Sequence, residues 1–383
     1  MYQNKNLFPF LAVLVAAGLI AGAAGLFVLI ADRYGGSNRL AANPNARSLA
    51  SQQLEGDDSN RSALERRIKT AGSSPVAPST VMGAHNATVL RVATAYPDRQ
   101  LVASGSYDNT VKLWNSSSKK LLRSLPHGGR VNDLAFIPGR QKLVTVSGAG
   151  NLRIWNTLSG QLQATAPGES GRMTSVAVAS DGTTLATGSG KGTLRLWTLN
   201  KSAAEPRTKD ILVDVGAQIN ALVFHPSDRD RLVSGDQDGV IRVWDLADKK
   251  ELLTLSDAAD RIVSLAISPD GRYVASGSRD QKIRVWDLAS GDLVKTLESH
   301  DFVVADLAFS ASGASLVSSS YDESIKTWDW QKGEVLCTLL GHSGFVYTVD
   351  FIGNSDRLIS GGYDGTVRIW DLSEDNAQTC LAS

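Results

Sequence analysis

An all-β fold is what this sequence predicts: a closed ring of seven sheets, each of four short strands, behind one membrane-crossing α-helix and a flexible stalk. Three regularities carry the prediction. Tryptophan recurs at Trp114, Trp155, Trp197, Trp244, Trp286, Trp328 and Trp370, at spacings of 41, 42, 47, 42, 42 and 42 residues. Ten residues before each stands Ser or Thr: Ser104, Thr145, Thr187, Ser234, Ser276, Ser318 and Ser360. Around each pair apolar residues alternate, as in Thr366-Val367-Arg368-Ile369-Trp370, which is the period of a half-buried strand. One hairpin cannot bury its own apolar face. Seven copies can, if they stack into a closed array.

Composition sets the outer limits. The chain has 383 residues, 42% hydrophobic and 20% charged, with a formal net charge of zero. That is ordinary globular composition with room for a large core. Residues 1–73 carry 8 Lys/Arg and 5 Asp/Glu, which leaves 31 and 34, a net of −3, for the remainder. An acidic main domain argues against a reader of phosphate backbones, so no nucleic-acid partner is expected. Cys337 and Cys380 are the two cysteines. They are too few for a disulfide framework or a zinc site, and no metal or cofactor is expected.

In chain order, residues 1–6 form a polar tail with one charge, Lys5. Residues 7–31 carry no charge. As a helix of about 1.5 Å per residue they cross a hydrocarbon core of roughly 30 Å with some tilt. Ala21-Gly22-Ala23 resembles a signal cleavage site, but apolar residues continue to Ile30. Signal cores are shorter, so an uncleaved single-pass anchor is the favoured reading and a cleaved signal its rival. Gly18 and Gly22 have the spacing that lets two membrane helices approach closely. Gly and Ala are common in such helices, so self-association through them is expected to be weak. Lys5 lies on one side of the span, and Arg33, Arg39 and Arg47 on the other. That count leans towards a cytoplasmic C-terminal side but leaves the side undecided, because large domains can be exported regardless. Residues 32–73 are polar and aperiodic, a stalk. A short helix near residues 62–71 fits the capping-box spacing of Ser62 and Glu65.

Residues 74–383 hold the repeats. Six residues before the tryptophan stands Asp in five of the seven: Asp108, Asp238, Asp280, Asp322 and Asp364. An alternating strand precedes each hairpin, as in Val346–Phe351, and another follows each tryptophan, as in Asp292–Leu297. The one long gap falls at Lys201–Lys209, which reads as a polar insertion in an outer loop.

These residues resemble the WD40 repeat family. The matching signatures are Gly341-His342 at the start of a repeat and Trp370-Asp371 at its end, with Trp244-Asp245, Trp286-Asp287 and Trp328-Asp329. Repeats 1 to 3 depart at this pair, with Asn115, Asn156 and Thr198. The resemblance implies a seven-bladed β-propeller of four-stranded antiparallel blades. It also implies a hydrogen-bonded set of His, Ser/Thr, Asp and Trp in a repeat. Carried over position by position, the set is complete in three repeats: His85, Ser104, Asp108 and Trp114; His300, Ser318, Asp322 and Trp328; His342, Ser360, Asp364 and Trp370. Elsewhere His is missing, and Ala149 and Lys191 replace Asp in repeats 2 and 3. His127 and His225 read as turn residues. The Ser-His-Asp sets invite a hydrolase reading, which is rejected. A triad is one constellation in a cleft with an oxyanion hole, whereas this set recurs, so its role is to satisfy buried polar groups. No catalytic residue is assigned and no enzyme activity is expected.

Two segments compete to supply the last outer strand: residues 74–82 and residues 376–383. Pro75 and Pro78 weaken the first, so the C-terminal strand is favoured. Cys337 and Cys380 then fall on different sheets, too far apart to bond, as small apolar fillers.

The resemblance implies partner contacts on one face of the ring. The positions that point there are the residue before the turn Asp and those that begin each innermost strand. They give Tyr107, Tyr321, Phe345, Tyr347 and Tyr363, which gather in blades 6, 7 and 1, and Arg130, Arg172, Arg261 and Arg279 in blades 2, 3 and 5. Tyr and Arg are enriched at binding hot spots. Such a face suits an acidic protein or peptide with an apolar anchor. The competing reading is that tyrosine before the turn Asp is partly a habit of the repeat. The expected function is a membrane-tethered protein–protein interaction scaffold. The alternatives are a propeller that uses its central channel for a small ligand or for catalysis, and a structural subunit of a membrane assembly. The channel reading requires an acidic or metal-ligand cluster at the inner strand ends, where the sequence places Asn132, Thr174, Asn220, Val263 and Ala305.

Overall fold

A computed structural model describes residues 80–95, 100–168, 171–199 and 206–372, with backbone alone over 206–212. The tail, the membrane span and the stalk expected over residues 1–73 lie outside these residues, as does 376–383. Among the described residues no helix is long and apolar enough to cross a membrane.

The described strands build seven antiparallel four-stranded sheets. Blade 1 runs from the centre outwards as β2 (Val89–Thr94), β3 (Leu101–Ser106), β4 (Thr110–Asn115) and β5 (Lys120–Pro126). Blades 2 to 6 repeat this order, with innermost strands β6 (Val131–Phe136), β10 (Met173–Val178), β14 (Ile219–Phe224), β18 (Ile262–Ile267) and β22 (Val304–Phe309). In blade 7, β26 (Val346–Phe351) is innermost, followed by β27 (Arg357–Gly362) and β28 (Thr366–Asp371). β26 returns to lie beside β2, so the ring of innermost strands is closed. The fold is a seven-bladed β-propeller.

The closing strand differs from the expectation. β1 (Thr80–Ala84), not the C-terminal segment, pairs with β28, with Thr80 opposite Ile369 and Ala84 opposite Thr366. The described register runs from Thr80 and contains no proline, and an outer edge strand tolerates proline in any case. Met82 is 6% exposed and packs among Trp114, Ile359 and Ile369. Beside it Gly83 lets the indole come close: a Cβ there would stand 2.3 Å from Cζ3 of Trp114. The polar insertion is also more ordered than its composition suggests. Its second part belongs to β13 (Pro206–Asp214), the outer strand of blade 3.

The core is seven seams rather than one centre. Trp155 packs with Val111, Leu113 and Leu125 of blade 1, and Trp114 with Val367 and Ile369 of blade 7. Each tryptophan thus fills the gap between its own blade and the one before, and truncating one to Ala removes about 3–5 kcal/mol of packing. Cys337, buried on the outer strand β25 (Glu334–Leu340) of blade 6, is disulfide-bonded and not the lone filler expected. The other cysteine of the sequence, Cys380, lies outside the described residues.

Candidate functional site

The polar sets sit where the chain crosses from the outer strand of one blade to the innermost strand of the next. His85 links Nε2 to Ser104 Oγ at 2.7 Å and Nδ1 to Asp108 at 2.9 Å, while Trp114 Nε1–H donates to the same Ser104 Oγ at 2.8 Å. His300 repeats this with Ser318 and Asp322, both at 2.7 Å, and Trp328 donates to Ser318 at 2.8 Å. His342 repeats it with Ser360 at 2.7 Å and Asp364 at 3.0 Å, with Trp370 donating to Ser360 at 2.8 Å. Burial by itself raises the Asp322 carboxyl, but the hydrogen bond and charge of His300, with the Ser324 hydroxyl, overcome it and hold the group at about 2. Asp108 and Asp364 are likewise lowered against the push of burial, by Thr110 and His85 in the first case and His342 in the second. Each hydroxyl and imidazole is consumed inside its blade.

Repeat 2 corrects the sequence reading. His127 is buried, with Nε2 2.7 Å from Thr145 Oγ1, to which Trp155 also donates at 3.0 Å. It therefore holds the position read as vacant. The signal was present: His127 precedes Val131 by the same four residues that separate His85 from Val89. Ala149 leaves its Nδ1 without an acceptor among the described residues, and burial together with Arg153 pushes the ring down to about 4, so it is neutral near pH 7. His225 turns to the carbonyl of Gly271 at 3.0 Å. In blade 5, which has no histidine in its set, Arg284 pairs with the turn Asp280 at 2.8 Å and with Asp257 at 3.2 Å.

One local irregularity shapes the face. In every blade the register between the innermost strand and its neighbour shifts at the second residue of the innermost strand. Those residues are Leu90, Asn132, Thr174, Asn220, Val263, Ala305 and Tyr347. A bulge re-aims the side chain at that point. In blades 2, 3 and 4 the re-aimed group donates to the backbone of the next blade: Asn132 to Met173 O, Thr174 to Ile219 O, and Asn220 to Ile262 O at 2.8 Å. In blade 7 it is Tyr347, which turns instead onto Tyr321 with ring centroids 5.0 Å apart.

Tyr347 belongs to an aromatic cluster. Tyr321 stacks on Phe345 at 4.7 Å with the planes 12° apart, and Phe345 meets Tyr363 at 6.2 Å. Tyr363 is 55% exposed, and Phe302, in the loop that follows His300, is 48% exposed. Phe302 was missed because its position, two residues after the repeat histidine, is Ala87 and Gly344 in the sister blades. Burial raises the Tyr321 phenol, and burial with the neighbouring phenols of Tyr321 and Tyr107 raises Tyr347, so both remain neutral donors.

The arginines divide. Arg130 is engaged, donating to the Tyr107 hydroxyl at 2.8 Å with its guanidinium 5.2 Å from that ring's centre. Arg172 donates to Gln218 Oε1 at 2.7 Å. Arg279 stands 3.8 Å from Asp260. Arg261 is half-buried; burial lowers its affinity for the proton, and the charges of Arg279 and Arg172 act in the same direction while Tyr321 and Asp260 oppose them. Arg261 and Arg279 both act on the Tyr321 phenol, and Arg172 acts on Arg261. Aromatic and cationic residues far apart in the sequence therefore share one end of the ring.

The channel itself is braced. Arg91 of β2 places Nε 2.7 Å from Asp133 and Nη1 2.9 Å from Asp306. Asp133 also accepts from the backbone of Leu134 at 2.9 Å and Val176 at 2.8 Å. Asp306 also accepts from Thr348 Oγ1 at 2.8 Å and from the N–H of Leu307 at 3.1 Å. The acidic residues that a channel chemistry would need occur here, one position beyond those read in the sequence, but their oxygens are occupied in holding blades together.

Comparison with known proteins agrees with this geometry. The family model described as WD domain, G-beta repeat matches seven times, at residues 77–115, 119–156, 160–198, 213–245, 249–287, 291–329 and 333–371. The protein named Target of rapamycin complex subunit LST8 of Mus musculus is 26% identical over 185 residues, 48% of this chain and 55% of its own length. Periodic tryptophan protein 2 of Arabidopsis thaliana is 27% identical over 183 residues, 48% of this chain and 20% of its own length. The match thus spans about half of the first relative and a fifth of the second.

Proposed function

Because the chain belongs to the WD40 family, whose unit is the WD domain, G-beta repeat, we propose that it is a membrane-tethered scaffold that recruits protein partners on the aromatic and arginine-bearing face of its propeller. One observation carries the reading. Tyr321, Phe345, Tyr347 and Tyr363 form a continuous aromatic surface at one end of the ring, with Tyr363 open to solvent. Aromatic anchors of this kind, next to arginine, supply most of the energy at binding hot spots. The partner is an acidic protein segment with an apolar anchor residue. The tether is the uncharged stretch 7–31.

The disulfide at Cys337 bears on the side of the membrane. Such bonds persist in oxidising compartments, which favours an exported propeller over the cytoplasmic one suggested by the Lys/Arg count. Protease digestion of intact vesicles checks this: an exported propeller is cleaved only from the outer surface.

The test of the face is cross-linked capture from native membranes, wild type against Tyr347→Ala with Arg261→Ala. Partners bound through this face fall by at least about tenfold, the loss of one good hot spot. Retention of every partner by the double variant would place recruitment elsewhere.

A second reading, a structural subunit of a membrane assembly, is favoured by the word subunit in the name of the mouse relative and by the Gly18 and Gly22 spacing. Replacing residues 7–31 by an unrelated membrane helix separates the two. Loss of all partners supports the assembly reading; retention supports the scaffold.

A further inference from the structure

Three arginines of the propeller's aromatic end differ in how they are paired, and one of them stands out. Arg172, Arg261 and Arg279 come from blades 3 and 5, and Asp260 lies beside the last two. That carboxylate is already divided: one oxygen accepts the backbone N–H of Arg261 at 2.7 Å, and the other faces Arg279 at 3.8 Å. Arg172 is directed to the neutral Gln218. Among the described residues the Arg261 guanidinium enters no ion pair and no hydrogen bond, although it is half-buried. Next to it stands Tyr321, whose ring is covered by Phe345 and Tyr347.

We propose that Arg261 is the centre of an anion subsite that takes one oxyanion of a bound peptide, a carboxylate or a phosphate, while an apolar residue of the same peptide rests on Phe345 and Tyr363. This inference rests on the face read above as the partner surface and deepens it. The argument is electrostatic. A partly desolvated guanidinium that no carboxylate contacts directly is unfavourable in the free protein, and a ligand anion relieves this. The planar fork of arginine matches the paired oxygens of a carboxylate or phosphate. Arg279 and Arg172 add attraction at longer range without competing for the same geometry, since each already has a partner. Phe345 and Tyr363, on blade 7, set the second point of contact at some distance from the first. The peptide therefore lies extended over the channel mouth instead of threading it, because the Arg91–Asp133–Asp306 brace crosses the channel.

The test selects a randomised displayed peptide pool on the full chain in detergent micelles. Four proteins are compared: wild type, Arg261→Gln, Arg261→Lys and Lys332→Gln, the last altering an exposed charge already paired with Asp329. Wild type and Lys332→Gln enrich peptides that carry Asp or Glu together with an aromatic or large aliphatic residue. Arg261→Gln keeps the apolar preference and loses the acidic one, with affinity for a resynthesised acidic peptide down at least about tenfold, as expected when a charge-assisted hydrogen bond is removed. Arg261→Lys falls between, since it keeps the charge and loses the fork. Exchanging the acid for phosphoserine in that peptide identifies the source: tighter binding assigns a phosphorylated partner, weaker binding an acidic one. Equal acidic enrichment by wild type and Arg261→Gln would overturn the subsite alone. Failure of wild type to enrich any peptide would overturn the face reading together with it.

Discussion

Arg91 and Asp306 meet across the centre of the ring: Nη1 of a residue on blade 1 lies 2.9 Å from Oδ1 of a residue on blade 6, with only the small Thr348 of blade 7 between the two positions. The same guanidinium holds Asp133 of blade 2. Burial disfavours the charge on Arg91, yet the two aspartates more than offset this and raise its pKa. Three blades around the point of ring closure are thus joined by one side chain. Arg91→Met leaves two inward carboxylates without their cation, and breaking such a pair costs about 3–5 kcal/mol. The midpoint of urea unfolding of the full chain in detergent should fall accordingly. Adding Asp133→Asn and Asp306→Asn to Arg91→Met should recover part of the loss, because the uncompensated charges go with it.

Ser360 accepts from Trp370 and contacts His342. Ser360→Ala removes one small atom and strands two buried polar groups, a loss of about 1–3 kcal/mol each. Thr145→Ala in blade 2 strands its indole and His127 in the same way. It should cost less than Ser360→Ala, because that set lacks its aspartate and His127 Nδ1 is already unsatisfied. Differential scanning of both variants checks the order. An equal loss would mean that the aspartate adds nothing to the network.

Asp350 sits on the innermost strand of blade 7 and accepts from the Thr94 N–H at 3.1 Å and hydroxyl at 3.0 Å. Burial, with the charge of Asp306, outweighs these bonds and pushes it up to about 6. An unfolded aspartate titrates near 4, so between the two values the folded chain holds a proton that the unfolded chain has lost. The contribution of this group is therefore full below about pH 4 and is lost as pH rises to about 6, a change of about 3 kcal/mol. Asp350→Asn removes that slope: relative to wild type it gains stability as pH rises from 4 to 7, read from unfolding midpoints at each pH. Asp322, held near 2, acts in the opposite sense, and its contribution is lost as pH falls from about 4 through about 2.

Much of the ring was legible because each blade repeats its own local chemistry. The spacing of Trp114 to Trp370 marks a buried indole that needs an acceptor ten residues earlier, and both are read along one strand pair. What was hidden depends on relations between blades. Arg91, Asp133 and Asp306 are unremarkable polar residues within their own repeats; they become a network only when blades 1, 2 and 6 converge on one channel. The position examined in the sequence was the bulged second residue, and the brace lies at the third. The closing strand was misread because Pro75 and Pro78 were weighed against this end of the chain, whereas the described pairing of Thr80–Ala84 with β28 involves neither. His127 was missed because Ala149 broke the expected set. On the candidate face, Tyr321, Phe345, Tyr347 and Tyr363 were named individually, but the stack of Tyr321 on Phe345 and the lone guanidinium of Arg261 required the fold.

The most direct measurement of the face reading is site-specific photo-cross-linking in native membranes. Tyr363 and Leu158 are similarly accessible, at 55% and 60%, but Leu158 lies in the turn between the third and outer strands of blade 2, at the other end of the ring. A benzophenone side chain placed at position 363 should capture a discrete partner, the adduct should be lost with Tyr347→Ala and Arg261→Ala, and position 158 should give none. Equal capture at both positions, or capture at 158 alone, would contradict recruitment through the aromatic and arginine-bearing face.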